Sequence, residues 1–355
     1  MLNVFALIVF GLVMIASAGV AYSVTRFGEP YYFLKRQLFF GVLPGLAILY
    51  LTSKINYKFW RQMAVPFFML SVIFLILVFV PGFGAKIYGA SRWLKLGSFS
   101  FQPSEMLKLS LVLYLAAWLE GRREKVKDFF EGFAPFLAIL GLVSFLLIKQ
   151  PDIGTLCAII AIALPMFFIS GASLVHLCVM GGGGVLLMML LIKLEPYRMD
   201  RLLVFLHPEM DPRGIGYQIN QAVLAIGSGG IFGVGLGKSL QKFNYLPEPV
   251  GDSIFAIIGE ELGLIGATVL ILLLLFLAAR GLRIAKRAPD KFSQLVAAGI
   301  ISWIIFQSFI NIAAISGLIP LTGVPLPFVS YGGTSMVFLM AGIGILLNIS
   351  KQVKI

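Results

Sequence analysis

Three carboxylates and two cations stand where a chain this apolar has little reason to keep charge: Asp252, Asp152 and Glu105, with Lys108 and Arg92. Asp252 closes a long polar connection and precedes an apolar run, Leu262–Ala279, of 18 residues. At about 1.5 Å per residue the run covers about 27 Å, close to the hydrocarbon thickness of a bilayer. Glu260 and Glu261 then fall at the interface, and Asp252 lies on the order of 12 Å beyond them along a helix, at headgroup depth. A carboxylate there can take a proton from a hydroxyl in the transition state, or it can cap the helix that follows it.

The other charges allow similar pairs of readings. Gln102-Pro103-Ser104-Glu105 opens an apolar helix that continues through Lys108. Pro103 suits the first helical position, Glu105 favours the positive end of the dipole, and Glu105 and Lys108 share a face. Such an ion pair either faces a wet cavity or joins two helices. Asp152, after Gln150-Pro151 and before Gly154-Thr155, is a helix N-cap or a second carboxylate of the cavity. Arg92 and Trp93 lie among Tyr88, Leu94, Lys95, Leu96 and Phe99. That mixture suits an interfacial anchor, and a guanidinium there can also grip a phosphate bidentately.

The elements that must hold these residues are membrane spans. With 59% hydrophobic and only 12% charged residues, the chain cannot cover a soluble globule of 355 residues. The pattern predicts an all-α integral membrane protein with about ten transmembrane helices, near 2–24, 37–53, 63–80, 104–120, 129–148, 154–170, 174–192, 253–279, 295–317 and 336–350. The first is too long for a removed signal peptide and lacks a cleavage site. Connections 54–62, 121–128 and 280–294 are densely basic, which predicts cytoplasmic placement of these and of both termini. Arg26, Lys35 and Arg36 run against that rule on a connection placed outside.

A large extracytoplasmic loop, 193–252, is expected between helices seven and eight, within a single domain covering 1–355. Its middle, Val223–Gly237, is glycine-rich and apolar and is expected to lie on or in the membrane, packed on protein. Lys193, Arg198, Arg201, Arg213, Lys238 and Lys242 make the loop basic, suited to a polyanionic lipid headgroup. Four successive glycines, Gly181–Gly184, fit close helix packing or local unwinding. The net charge of +12 is spread over loops without aromatic interleaving, which argues against nucleic acid. Cys157 and Cys178 sit in apolar runs and predict no structural disulfide. No His or Cys spacing suggests zinc, and there is no P-loop or dinucleotide fingerprint.

Five stretches carry a resemblance. FQPSEMLKLSLVLYLAAWL (101–119), QPDIGT (150–155), DPRGIGYQINQAVLAIGSGGIFGVGLGKSLQKFNYLPE (211–248), GDSIFAIIGEELGLIG (251–266) and TGVPLPFVSYGGTS (322–335) together resemble the SEDS family. That family contains the peptidoglycan glycosyltransferases FtsW and RodA and the sporulation protein SpoVE, and this chain is more similar to the division type. Where relatives read His-Thr-Asp-Phe, this chain has Val250-Gly251-Asp252-Ser253, so the aspartate stays while its neighbours change.

The resemblance implies an inverting glycosyltransferase of the bacterial cytoplasmic membrane. It would polymerise lipid II, the undecaprenyl-pyrophosphate-linked disaccharide-pentapeptide, into β-1,4 glycan at the outer face. A class B penicillin-binding protein would be the partner, with other membrane proteins of the divisome or elongasome. Attack of a sugar hydroxyl on an anomeric carbon bearing pyrophosphate needs one base and positive charge for the leaving group. A glycosidase wants two carboxylates, but pyrophosphate leaves unprotonated. Asp252 is then the base, with Arg92 and nearby lysines such as Lys238, or a divalent cation (Mg or Mn), on the pyrophosphate. Gln102, Glu105, Lys108, Asp152, Gln218 and Ser330 are the expected substrate contacts. The rivals are a lipid II flippase and a non-catalytic division scaffold. Against the flippase stand the absence of an internal repeat and the clustering of polar residues on one side.

Overall fold

The computed structural model describes residues 1–87, 90–96, 99–194, 196–207, 210–211 and 214–353. Tyr88 and Arg213, singled out above, lie outside them. In chain order the helices are α1 (Leu2–Ala18), α2 (Val20–Phe27), α3 (Tyr32–Lys54), α4 (Tyr57–Leu77), α5 (Pro103–Gly121), α6 (Phe129–Lys149), α7 (Ile153–Ile169), α8 (Leu174–Leu194), α9 (Pro196–Leu206), α10 (Ile215–Ser228), α11 (Ile254–Lys286), α12 (Lys291–Ile315) and α13 (Gly333–Lys351). The first π-helical turn of α6, Phe129–Phe133, is N-capped by Asp128, and a similar turn, Leu38–Val42, interrupts α3.

Among the described residues, seven helices are long and apolar enough to cross a membrane, or eight if the bent pair α1–α2 is one span. Helix α5 overlaps an expected span but is too polar to pass that test, and α7 is shorter, so a count of ten is not reached on length and composition. The first span is not the straight helix expected over 2–24, since α1 and α2 meet at 56°. The exposed faces of the spans are Leu, Phe, Val and Met, as a lipid solvent requires. Only 6% of α8 is buried, against 72% of α12 and 67% of α13.

The all-α expectation needs one correction. Three short strands, β1 (Gly84–Ile87), β2 (Ala90–Leu96) and β3 (Phe99–Phe101), form an antiparallel sheet in the order β1-β2-β3. Gly84 pairs with Leu94, Leu94 with Phe101, and the register shifts between Ala85 and Lys86. Strands of three to seven residues are too short to show a clear period of two. The 193–252 connection is likewise not a plain loop, because it contains α9 and α10.

The chain divides into two compact units. The first comprises Met1–Leu43, Met180–Leu277 and Gln307–Gly333, and the second Pro44–Val179, Ala278–Phe306 and Thr334–Ile355. In the second, α5 packs against α4 and α7, with Leu107, Leu111, Val112 and Leu115 fully buried. In the first, α11 is broken at Gly263, whose φ of 63° and ψ of −163° suit only glycine. The run Leu262–Ala279, which reads as one uninterrupted helix, is thus kinked near its start. The loop before it repairs the break. Val234 and Gly235 donate to the carbonyls of Glu260 and Glu261 at 3.0 Å each, while Leu264 and Ile265 donate to Gly230 and Ile231 at 2.9 and 3.2 Å.

Candidate active site

Asp252 sits in the turn that leads into α11, and its backbone is tied down from several directions. Asn311 of α12 donates from Nδ2 to the Asp252 carbonyl and to that of Val324, each at 2.8 Å. Ser330 donates from Oγ to the Gly251 carbonyl at 2.7 Å and accepts from the Leu326 amide at 2.8 Å. Gln218 of α10 donates from Nε2 to Ser253 Oγ at 3.1 Å. The Tyr331 amide reaches the Val250 carbonyl at 2.8 Å. These bonds hold the backbone of the turn and Ser253, while the Asp252 carboxylate meets only the amides of Asp252 itself and Ser253.

The residue as a whole is half-buried, yet Oδ1 is sealed from solvent and has no hydrogen-bond partner. Burial and the nearby Glu248 carboxylate together push the Asp252 carboxyl up to about 6, against the opposing pull of the Asp252 amide, Arg201 and the Ser253 amide. A raised pKa on a carboxylate with one unpartnered oxygen is chemically suited to accepting a proton. On the other side of the carboxylate, Gly323 has a φ of +69°, and a Cβ there would stand 3.8 Å from Asp252 Oδ2. The glycine keeps that approach open.

Of the residues expected from sequence, Gln218 and Ser330 are thus brought to the Asp252 turn, where their side chains bond to Ser253 and to the Gly251 carbonyl. Lys238 is exposed on the loop, its stem against Gly235, and makes none of these contacts. Asn311, Glu248 and Gly323 are the neighbours that sequence reasoning passed over, and Arg201 was read only as part of the basic loop. Asn311 carried a signal, as an isolated amide in the middle of an apolar span.

The second unit holds the remaining candidates. Glu105 and Lys108 are 2% and 1% exposed, with Nζ 2.8 Å from Oε1. The ammonium also lies 5.1 Å above the Trp303 ring, and Glu105 Oε2 has no partner. Gln102 precedes α5 in an extended conformation without capping it through its side chain. Asp152 takes the N-cap reading: its Oδ1 accepts from the Thr155 amide at 3.2 Å and its Oδ2 from Thr155 Oγ1 at 2.8 Å. Arg92 donates from Nε to the Gln150 carbonyl at 3.3 Å and from a terminal nitrogen to that of Pro151. Backbone carbonyls therefore orient the guanidinium beside the turn that carries Asp152.

Glu260 and Glu261, expected at a wet interface, are buried instead, and the glycine-rich loop covers them. Lys242 Nζ lies 2.9 Å from Glu261 Oε1, and Ser17 Oγ, 2.8 and 2.7 Å from the two oxygens of Glu261, shares its one proton between them. Ser239 Oγ and the Leu240 amide, the latter at 2.9 Å, serve Glu260. Each carboxylate is desolvated because the loop, joined at Glu261 by Ser17 of α1, supplies its donors.

Apolar spans, ion pairs buried among them and a supported carboxylate before one span define a multi-pass α-helical membrane protein with a candidate acid–base site. The family model for the FtsW/RodA/SpoVE cell cycle proteins matches residues 1–355, and the chain belongs to that family. It is 41% identical over 355 residues to a probable peptidoglycan glycosyltransferase FtsW of Trichlorobacter lovleyi, covering 100% of this chain and 93% of that one. It is 41% identical over 345 residues to the stage V sporulation protein E of Bacillus subtilis, covering 97% and 94%. Among solved structures, a chain of a peptidoglycan synthase complex coordinating polymerisation and crosslinking matches with a TM-score of 0.84 at 28% identity, over 99% of this chain and 96% of that one. RodA of Thermus thermophilus matches with 0.73 at 28% identity, over 99% and 95%.

Proposed function

We propose that this chain is a peptidoglycan glycosyltransferase that polymerises lipid II into β-1,4 glycan, with Asp252 as general base. The names of its relatives support the activity, and the FtsW relatives favour a septal role over an elongation role. The observation that carries the assignment of the base is the sealed, unpartnered Oδ1 of Asp252, on a backbone fixed by Asn311 and Ser330. In the reaction the acceptor hydroxyl oxygen attacks the anomeric carbon and its proton passes to Asp252. The carbon–oxygen bond to pyrophosphate breaks with inversion, and the pyrophosphate leaves with the electron pair. A base whose pKa is about 6 is mostly ionised at neutral pH and still basic enough to accept the proton.

Cations on the leaving group come from Arg92 and the basic loop in this reading. Among the described residues no group of three or more His, Cys, Asp or Glu could hold a metal. A divalent cation (Mg or Mn) on the pyrophosphate would keep phosphate and water as most of its ligands. The topology that goes with the reaction has ten spans in one polytopic domain, both termini in the cytoplasm and 193–252 outside, in the bacterial inner membrane. A class B penicillin-binding protein would crosslink the product, in line with the synthase complex among the solved structures.

The test is lipid II given to the purified protein in detergent with its cognate penicillin-binding protein, with glycan read on a gel. Detergent offers no second compartment, so a flippase would make no glycan. Asp252→Asn keeps the shape but cannot take the proton, and polymer should fall by about 10² to 10⁴ with unchanged thermal stability. Near-parental glycan from the Asn variant would remove Asp252 as base.

A further inference from the structure

A cavity lies where α5 gives way to α6. It measures about 600 Å³, within the range of about 300 to 1,000 Å³ typical of ligand pockets. Arg122, Lys125 and Glu131 line it together with Trp118, Phe130 and Pro135, all within the second unit. The charge balance of the wall is positive, two cations against one carboxylate. The cations are not on a loose loop. The Lys125 amide donates to the Arg122 carbonyl at 2.8 Å, the Asp128 amide to that of Lys125 at 2.9 Å, and Val126 between them is fully buried. Arg122 lies 4.8 Å above the Trp118 ring, and Lys125 pairs with Glu131 across an exposed contact that a stronger anion can displace.

The remaining wall is apolar and continues outward. Phe130 is 79% exposed, at the first turn of a span whose Leu137, Leu142 and Phe145 are exposed too. Anchored guanidinium and ammonium groups beside an exposed aromatic, at the end of a lipid-facing helix, match a phosphodiester with acyl chains attached. A free phosphate would use the cations and leave the aromatic wall bare. We propose that this cavity binds the phosphate headgroup of an anionic phospholipid, with Arg122 and Lys125 on the phosphate and the acyl chains along Phe130 and Pro135.

The experiment uses full-length protein, delipidated in detergent and titrated with phosphatidylglycerol or phosphatidylcholine of the same chains. Bound lipid is counted by native mass spectrometry, and a separate arm adds inorganic phosphate and follows thermal stability. Replacing both Arg122 and Lys125 with Gln should weaken phosphatidylglycerol about thirtyfold and leave phosphatidylcholine unchanged. The same change at Arg123 and Lys127, on the same connection but outside the cavity wall, should weaken it less than about threefold. Gly121 also lines the cavity, and a Cβ there meets nothing within 4 Å. Gly121→Leu therefore keeps every charge, improves helix propensity and should exclude the lipid, which decides the matter even if the double variant misfolds. Equal losses from the two double variants, parental lipid binding by Gly121→Leu, or inorganic phosphate stabilising as well as the lipid would each overturn the site.

Discussion

Replacing Lys242 with Met removes the countercharge of Glu261, which is 0% exposed, while Lys242 itself is only 3% exposed. Breaking a buried pair from one side costs about 3–5 kcal/mol, because the surviving charge stays desolvated. Ser17 Oγ still gives its one proton to the carboxylate, so the lower end, about 3 kcal/mol, is expected. At about 2.1 cal/mol/K per residue the unfolding entropy of 355 residues is about 0.75 kcal/mol/K, so the melting temperature should drop by about 4 °C. Thermal unfolding in detergent measures it. Adding Glu261→Gln removes the stranded charge and should recover at least half of the loss. A double-mutant cycle with a coupling below about 0.5 kcal/mol would refute the pair as the clasp that holds the loop on α11.

The acid limb of polymerisation should report Asp252. Its folded pKa is raised, so lowering the pH protonates the base, with half-maximal rate near pH 6 and about one tenth of the plateau at pH 5. Glu248→Gln removes the neighbouring negative charge and should move that limb to lower pH, whereas an unmoved limb would dissociate it from Asp252. Lys108→Met should damage folding or activity more than Lys108→Met combined with Glu105→Gln, and additive losses would show that the buried pair does not interact. Gly323→Ala puts a side chain at a φ of +69° and 3.8 Å from Asp252 Oδ2, so glycan output should fall further than the roughly 1 kcal/mol of stability explains. For topology, with Cys157 and Cys178 replaced, a cysteine at the exposed Lys238 should react with an impermeant thiol reagent in spheroplasts and one at the exposed Arg287 should not.

What the sequence made legible was what depends on length and on isolated charge. The long spans follow from apolar runs, the Glu105–Lys108 pair from a spacing of three, and Asp152 from its place before Gly154-Thr155. What it hid depends on partners distant in the chain. The break at Gly263 stands in a Leu-Gly-Leu-Ile-Gly run that reads as ordinary helix, and only the backbone of residues 230–235 shows why glycine is there. Glu260 and Glu261 looked interfacial because counting residues gives depth and says nothing of a loop folding over them. Asn311 lies 59 residues from the carbonyl it holds, and Glu248 and Arg201 act on Asp252 through space. The sheet of β1, β2 and β3 was missed because its strands are too short to carry a pattern.

The repair of α11 has a consequence for how the protein is made. An amide or carbonyl left open at bilayer depth costs several kcal/mol, so the upper turns of α11 cannot enter lipid as a finished helix on their own. The loop that closes the break is translated first. It waits in place when the helix emerges, and insertion of those turns and docking of the loop become one step. The same four backbone bonds set a signature in deuterium exchange. The amides of Val234 and Gly235 lie in a loop by secondary structure, yet they open only when α11 does and should exchange on its timescale. The segment that looks most like a flexible lid is in this respect an outlying part of the helix.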